Sequence, residues 1–229
     1  PGLGDHIMCH GIVREYAKKY DKVALFSLPH NFTSVSFMYR DLQNVTVIKG
    51  SGVFAENFVT THGSDYTEVK IIGFQNLDRM SGVQLEKQFY HIAGVPLEKI
   101  WDSFFVERDL KKEQTLFDLV APQNEYVFLH EDTPRNYRIE RSLIAKKYTV
   151  VSADSKVTDN VFDYCTVIER AKEIHVIDSS FMFLIDCLPY ENPDQKLFVH
   201  RYARENEAWK LPILKKNWTV LTLVDSAEK

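Results

Sequence analysis

Apolar positions along this chain switch repeatedly between a spacing of three or four and short unbroken runs, which predicts helices and buried strands in alternation. Ile7, Met8, Ile12, Val13, Tyr16 and Tyr20 mark one face of an opening helix. Lys22–Ser27, stopped by Pro29, reads as a strand, and Asn31–Leu42 as a helix weakened by Thr33, Val35 and Ser36. Val45–Ile48, closed by Gly50, predicts a second strand, and Glu68–Gly73 a third. Leu85, Phe89 and Ile92 place a helix over Val83–Ala93, ended by Gly94-Val95-Pro96. Trp101–Val106 reads as extended and Leu110–Val120 as helical, and Pro122-Gln123-Asn124 supplies loop chemistry.

That loop divides the chain into an N-terminal domain, residues 1–121, and a C-terminal domain, residues 122–229. In the latter, strands are expected at Tyr126–His130, Tyr148–Ser152, Glu173–Ile177 and Lys196–His200. Helices are expected between them at Ile139–Lys147, Val161–Ala171 and Ser179–Leu188. The segment Glu205–Val224 accommodates a helix through Trp209 and a last strand at Trp218–Leu223. Such alternation predicts an α/β fold with parallel sheets covered on both faces, and the second half repeats the plan without repeating the sequence.

Composition narrows the setting. At 229 residues the chain fits two small α/β domains or one large one, and 45% apolar residues supply a genuine core. A net charge of −4 argues against nucleic acid as the partner, since phosphate-backbone binding needs a basic surface. Cys9, Cys165 and Cys187 are far apart and form no disulfide framework, which points to a reducing cytoplasm. No apolar run reaches membrane-spanning length and no signal peptide is visible. The chain opens where a first strand would be expected to end, as it would after loss of that strand or in a fragment.

Ligands of open parallel sheets bind beyond the carboxyl ends of the strands, and four segments fall there. Gly2-Leu3-Gly4-Asp5 is a glycine-rich turn opening a helix, where backbone N–H groups are accessible and Asp5 is a candidate general base. Asp5 could equally serve as a helix-start carboxylate that opposes the dipole. His130–Arg135 offers the Thr133 hydroxyl and the Arg135 guanidinium, which suit a phosphate or else form a solvated loop with surface ion pairs. Ser152–Lys156 is the third segment. The fourth, Asp178-Ser179-Ser180, caps the start of a helix, and a diphosphate could rest on its free N–H groups. An ordinary capped helix is the competing reading.

Metal and dinucleotide readings fit less well. His6, Cys9 and His10 lack further ligands at a metal spacing, and Glu131-Asp132 reads as a solvated acidic pair. In a dinucleotide fingerprint Ile7 would occupy the third glycine position, and no acidic residue follows a second strand as NAD binding requires.

Gly4-Asp5 followed by an apolar helix resembles the N-terminal loop of the heptosyltransferase-like glycosyltransferases (ADP-heptose:lipopolysaccharide heptosyltransferase type). Tyr164–Leu188, with Glu169-Arg170-Ala171-Lys172 leading to Asp178-Ser179-Ser180, resembles the donor-binding segment of that family. Its members fold as two facing Rossmann-like domains, the GT-B arrangement. The resemblance implies an inverting, metal-independent transferase with Asp5 as catalytic base. Gly4, Asp178, Ser179 and Ser180 would lie about the donor phosphates, with Thr133 and Arg135 contributing. Ser180 replaces the family's usual glycine and Phe183 its usual histidine, and the chain is shorter than a typical member.

On this reading the co-substrate is a nucleotide-diphosphate sugar, with no other cofactor. The acceptor is a hydroxyl on a glycan, a lipid or another molecule, and a lipid acceptor would bring the protein to a membrane surface. A non-catalytic nucleotide-sugar-binding or assembly module on the same fold is the alternative, and a nicotinamide oxidoreductase is a third, weaker one.

Overall fold

In the second half, strands rich in apolar residues assemble into one all-parallel sheet. The computed structural model describes residues 2–73, 76–78, 82–204 and 210–222. Its strands β3 (Tyr126–His130), β4 (Thr149–Ser152), β5 (Glu173–Val176), β6 (Lys196–His200) and β7 (Trp218–Leu221) pair in the order β4-β3-β5-β6-β7. Residue pairs such as Phe128↔Ile174, Ile174↔Leu197 and Leu197↔Trp218 fix the register.

Both faces of this sheet are covered, which is why β3 reads as a nearly continuous apolar run, whereas β5 alternates apolar Ile174 and Val176 with polar Glu173 and His175. On one face Phe128 packs against Tyr164 (ring centroids 5.9 Å apart) and Phe181 (5.3 Å). Tyr126 on the same face donates its hydroxyl proton to the Val167 carbonyl at 2.7 Å. These partners come from a 3-10 turn, Val161–Tyr164, and from helices α8 (Cys165–Arg170) and α9 (Ser180–Cys187). On the opposite face Val127, Leu129 and Ile177 pack with Ile139 and Ile144, flanked by Tyr137, Tyr148 and Ala203. The β3–β4 connection therefore covers one face while the next two crossovers cover the other. Right-handed connections require this when the chain reverses direction across the sheet.

The chain divides into two compact units, the described residues of Pro1–Glu107 with Ala208–Ile213, and those of Arg108–Glu207 with Leu214–Lys229. The division falls upstream of the expected 121/122 boundary because helix α7 (Leu110–Val120) packs in the second unit, against α8. Buried Glu113 on α7 ion-pairs with Arg108 and accepts the Thr166 N–H at 3.1 Å and its hydroxyl at 2.8 Å.

The first unit has a smaller sheet, with β1 (Val23–Ser27) parallel to β2 (Val45–Lys49). The opening helix is two, α1 (Leu3–Met8) and α2 (His10–Lys19), broken at Cys9. Around them lie α3 (Phe32–Met38), α4 (Gly52–His62), α5 (Leu85–Ala93) and α6 (Lys99–Asp102). Gly11 lets α2 approach α6 closely, since a Cβ there would sit 2.2 Å from the Lys99 carbonyl oxygen. Gly94 adopts φ +67° to end α5, as the glycine-proline punctuation predicts.

Several expectations need correction. Glu68–Gly73 forms no strand, and Val69 and Ile71 are 45% and 54% exposed, so no sheet buries their apolar surface. Ile139–Lys147 is not a helix but an irregular cover whose regular part is the 3-10 turn Arg141–Leu143. Trp101 belongs to α6, and Phe104–Val106 carries no regular structure. The helix expected through Trp209 and the end of the last strand beyond Thr222 lie outside the described residues.

Candidate functional site

The order β4-β3-β5-β6-β7 places a switch point between β3 and β5, where successive connections leave in opposite directions. In open α/β sheets ligands bind at such a crevice, outside the carboxyl ends of the strands. Two side chains meet there: Ser179 Oγ, just after β5, lies 3.0 Å from His130 Nδ1 at the end of β3. The His130 ring also packs on Phe181 at 4.5 Å. Desolvation lowers the His130 pKa to about 4, outweighing the opposing pull of Asp132 and Glu131, so its ring is neutral near pH 7.

Ser179 is the N-cap residue of α9, with extended backbone angles. Its side chain does not cap the helix, and the Ser179 carbonyl instead accepts the Met182 N–H at 3.1 Å. The first N–H groups of a helix have no intrahelical acceptor, and those of Ser180 and Phe181 open α9 with the positive end of its dipole. Asp178, in place of the capping role expected for it, ion-pairs with Arg201 and receives an Arg204 N–H on its backbone carbonyl. Desolvation raises the Asp178 pKa, while the charges of Arg201 and Arg204 pull it back.

Both arginines sit on a 3-10 turn, Arg201–Arg204, that directly follows β6. The Arg204 guanidinium lies 5.8 Å from the centre of the Tyr137 ring, and that of Arg135 5.6 Å from the same ring. Tyr137 thus gathers cations from two loops beside the switch point. Arg135 is exposed and holds Asp132, with Nε donating to Oδ2 at 2.6 Å. Desolvation is the strongest single influence on the Asp132 carboxyl and raises its pKa. The Arg135 side-chain and backbone hydrogen bonds and the neighbouring charge together keep it below the ordinary value all the same. Thr133 lies exposed at the start of the same short turn.

Of the residues expected to act, Thr133, Arg135, Asp178, Ser179 and Ser180 all belong to the second unit, at the strand-end edge of its sheet. Gly4 and Asp5 belong to the first unit, inside the first turn of α1 instead of in a loop ahead of it. Asp5 is half-buried, and its Oδ2 accepts the Gly2 N–H at 2.7 Å, the helix-start role set against catalysis above. Phe183 is half-buried on α9.

His130, Arg201 and Arg204 were not singled out from the sequence. The strand-end rule, applied to His200-Arg201 as it was to the other strands, identifies the last two. Among the described residues no group of three or more His, Cys, Asp or Glu side chains is arranged to hold a metal ion. No helix among them is long and apolar enough to cross a membrane. No protein-family model matches this chain, and neither a curated protein nor a solved structure matches it.

Proposed function

We propose that the second unit binds the diphosphate of a nucleotide sugar and that the chain is an inverting glycosyltransferase, its two units abbreviated Rossmann-like domains of the GT-B kind. The observation that carries this reading is the meeting of Ser179 and His130 at the switch point, beside the N-terminus of α9 and the Arg201–Arg204 turn. A diphosphate there would accept hydrogen bonds from the Ser179 hydroxyl and the Ser180 and Phe181 N–H groups. Arg135 and Arg204, already drawn to Tyr137, would offset the negative charge that grows on the leaving diphosphate, the part a metal ion plays in other transferases.

In the transfer step the acceptor oxygen bonds to the anomeric carbon while the bond from that carbon to the diphosphate oxygen breaks. The leaving group takes the bonding electron pair, and the Asp5 carboxylate takes the acceptor's proton. Loss of such a base costs about 10²- to 10⁴-fold in turnover. Asp5→Asn should therefore abolish sugar transfer while nucleotide binding persists, and unchanged turnover would remove Asp5 from the mechanism.

A second reading is favoured by the Asp5 geometry itself. With its carboxylate turned onto Gly2 at the helix start, the chain would be a nucleotide-sugar-binding module without transfer chemistry. Titration of nucleoside diphosphates followed by an assay of donor hydrolysis separates the two readings. Arg135→Ala, at an exposed position, should weaken a nucleoside diphosphate about tenfold or more and leave the bare nucleoside unaffected. Equal losses for both would show that Arg135 does not face phosphate.

A further inference from the structure

A string of polar groups is buried on the sheet face of the second unit that lies beneath residues 137–148. Glu173 and His175, two apart on β5, share that face, and His200 closes β6. His175 stacks on its register partner Phe198 with rings 4.7 Å apart and 16° from parallel. His175 Nε2 lies 3.4 Å from Glu173 Oε2, and His175 Nδ1 lies 2.9 Å from His200 Nε2. His200 Nδ1 lies 3.0 Å from the Tyr202 hydroxyl, which accepts the Glu140 N–H at 2.9 Å. Both rings are essentially inaccessible, with 1% and 0% exposure.

A neutral imidazole has one donor and one acceptor nitrogen, and an ionised carboxylate only accepts. Starting from Glu173, His175 must therefore present Nε2–H to the carboxylate, which leaves its Nδ1 as an acceptor. His200 then donates from Nε2, and its Nδ1 accepts the Tyr202 proton. Each contact is satisfied with both rings neutral, and the opposite polarity would set a lone pair against the carboxylate. A proton added to His175 Nδ1 would oppose N–H to N–H across the 2.9 Å gap between the rings.

We propose that Glu173, His175, His200 and Tyr202 form a one-way hydrogen-bond relay, with both rings in the Nε2–H form, that positions the Arg201–Arg204 turn against Asp178. Tyr202 is the second residue of that turn, and Arg201 and Arg204 on either side of it are the groups that grip Asp178. The relay therefore pins from beneath the element that carries the basic groups of the candidate site. Its bearing on diphosphate binding rests on the function proposed above, whereas its polarity does not.

Burial keeps the rings neutral, and at His175 it outweighs the opposing pull of the Glu173 carboxylate. Lys196 on β6 lies 3.8 Å from the Glu173 carboxylate. From the β3–β4 connection, Arg141 opposes protonation of His200, while Glu131 and Glu140 face Tyr202. Burial lowers the pKa of both histidines, that of His200 to about 3, with the neighbouring His175 adding to the effect there.

Long-range ¹H–¹⁵N correlation on ¹⁵N-histidine-labelled full-length protein at pH 7.5 reads the tautomers directly. Nε2–H at both His175 and His200 is expected, and Nδ1–H in either ring, or an imidazolium, overturns the relay. Tyr202→Phe removes the terminal donor, and exchange of the Arg201 guanidinium protons should then accelerate about tenfold. Unchanged exchange would leave the relay without a positioning role. Inorganic pyrophosphate, titrated into both proteins, should bind the Tyr202→Phe variant about tenfold more weakly than the parent. If the parent binds no pyrophosphate while the tautomers and the exchange behave as expected, the relay stands and the diphosphate reading falls. If pyrophosphate binds both proteins equally, the positioning role is overturned and the diphosphate reading stands.

Discussion

The two units manage buried polar groups in opposite ways. In the second, buried polar side chains are tied in: Glu113 holds Arg108 and Thr166, the histidine pair is bonded at both ends, and Asp186 accepts the Lys215 and Lys216 N–H groups and the Trp218 indole. In the first, His6 Nε2, His10 Nε2, Arg14 Nε, Asn31 Nδ2, Ser36 Oγ and Tyr39 OH are buried without a protein partner. Each such group costs about 1–3 kcal/mol unless something satisfies it. The second unit thus resembles a finished scaffold. The first leaves these polar atoms without a protein partner, around a two-stranded sheet.

The largest effect that both units should share is acid sensitivity. Desolvation lowers the pKa of His6, His10 and His130 to about 4, and that of His200 to about 3. In the unfolded chain these groups titrate near their ordinary value of about 6.5. Between the two values the unfolded state binds more protons, so folding stability is full above pH 6.5 and falls as the pH drops. The slope is about 1.4 kcal/mol per pH unit for each histidine. Urea unfolding from pH 7.5 to pH 4.5 measures this, and a flat profile would mean that these rings are hydrated in the native state.

Deleting one aromatic ring from each unit separates them next. Phe128 is fully buried between Tyr164 and Phe181, and Phe128→Ala should cost about 3–5 kcal/mol. Phe54 on α4 is 46% exposed beside Phe26, and Phe54→Ala should cost about 1 kcal/mol or less. Comparable losses in urea unfolding would show that the first unit's aromatic face is more tightly covered than its exposure implies.

Removing one hydroxyl from each unit is the smallest and sharpest comparison. Tyr126→Phe breaks a buried hydrogen bond to Val167 and should destabilise by about 1 kcal/mol. Tyr39→Phe removes a buried hydroxyl that has no protein partner, so it should be neutral or stabilising by about 1 kcal/mol. Destabilisation by Tyr39→Phe would instead reveal a bound water that satisfies the first unit's interior.

The second unit was also the more legible in sequence. Tyr126–His130 and Lys196–His200 are strands with the bounds their apolar runs predict, because a sheet covered on both faces writes itself as unbroken apolar residues. Helix α4 has apolar residues at helical spacing, Phe54, Ala55, Phe58 and Val59, but none of them is buried, so they mark no core-facing stripe. Val69 and Ile71 misled in the opposite direction, with strand-like residues exposed on an irregular segment. At the candidate site, Asp178, Ser179 and Ser180 were visible because they are adjacent at a strand-to-helix junction. The Asp178–Arg201 pair and the His130–Ser179 contact join residues far apart in sequence, and only the sheet order brings them together.

The proposed diphosphate site is the crevice where β3 and β5 diverge. Crystals of the full chain soaked in turn with ADP, UDP and GDP test it most directly. Phosphate density is expected within hydrogen-bond reach of Ser179 Oγ and the first N–H groups of α9, with Arg135 or Arg204 turned toward it. Diphosphate bound elsewhere, with the Ser179–His130 crevice empty at saturating ligand, would contradict it.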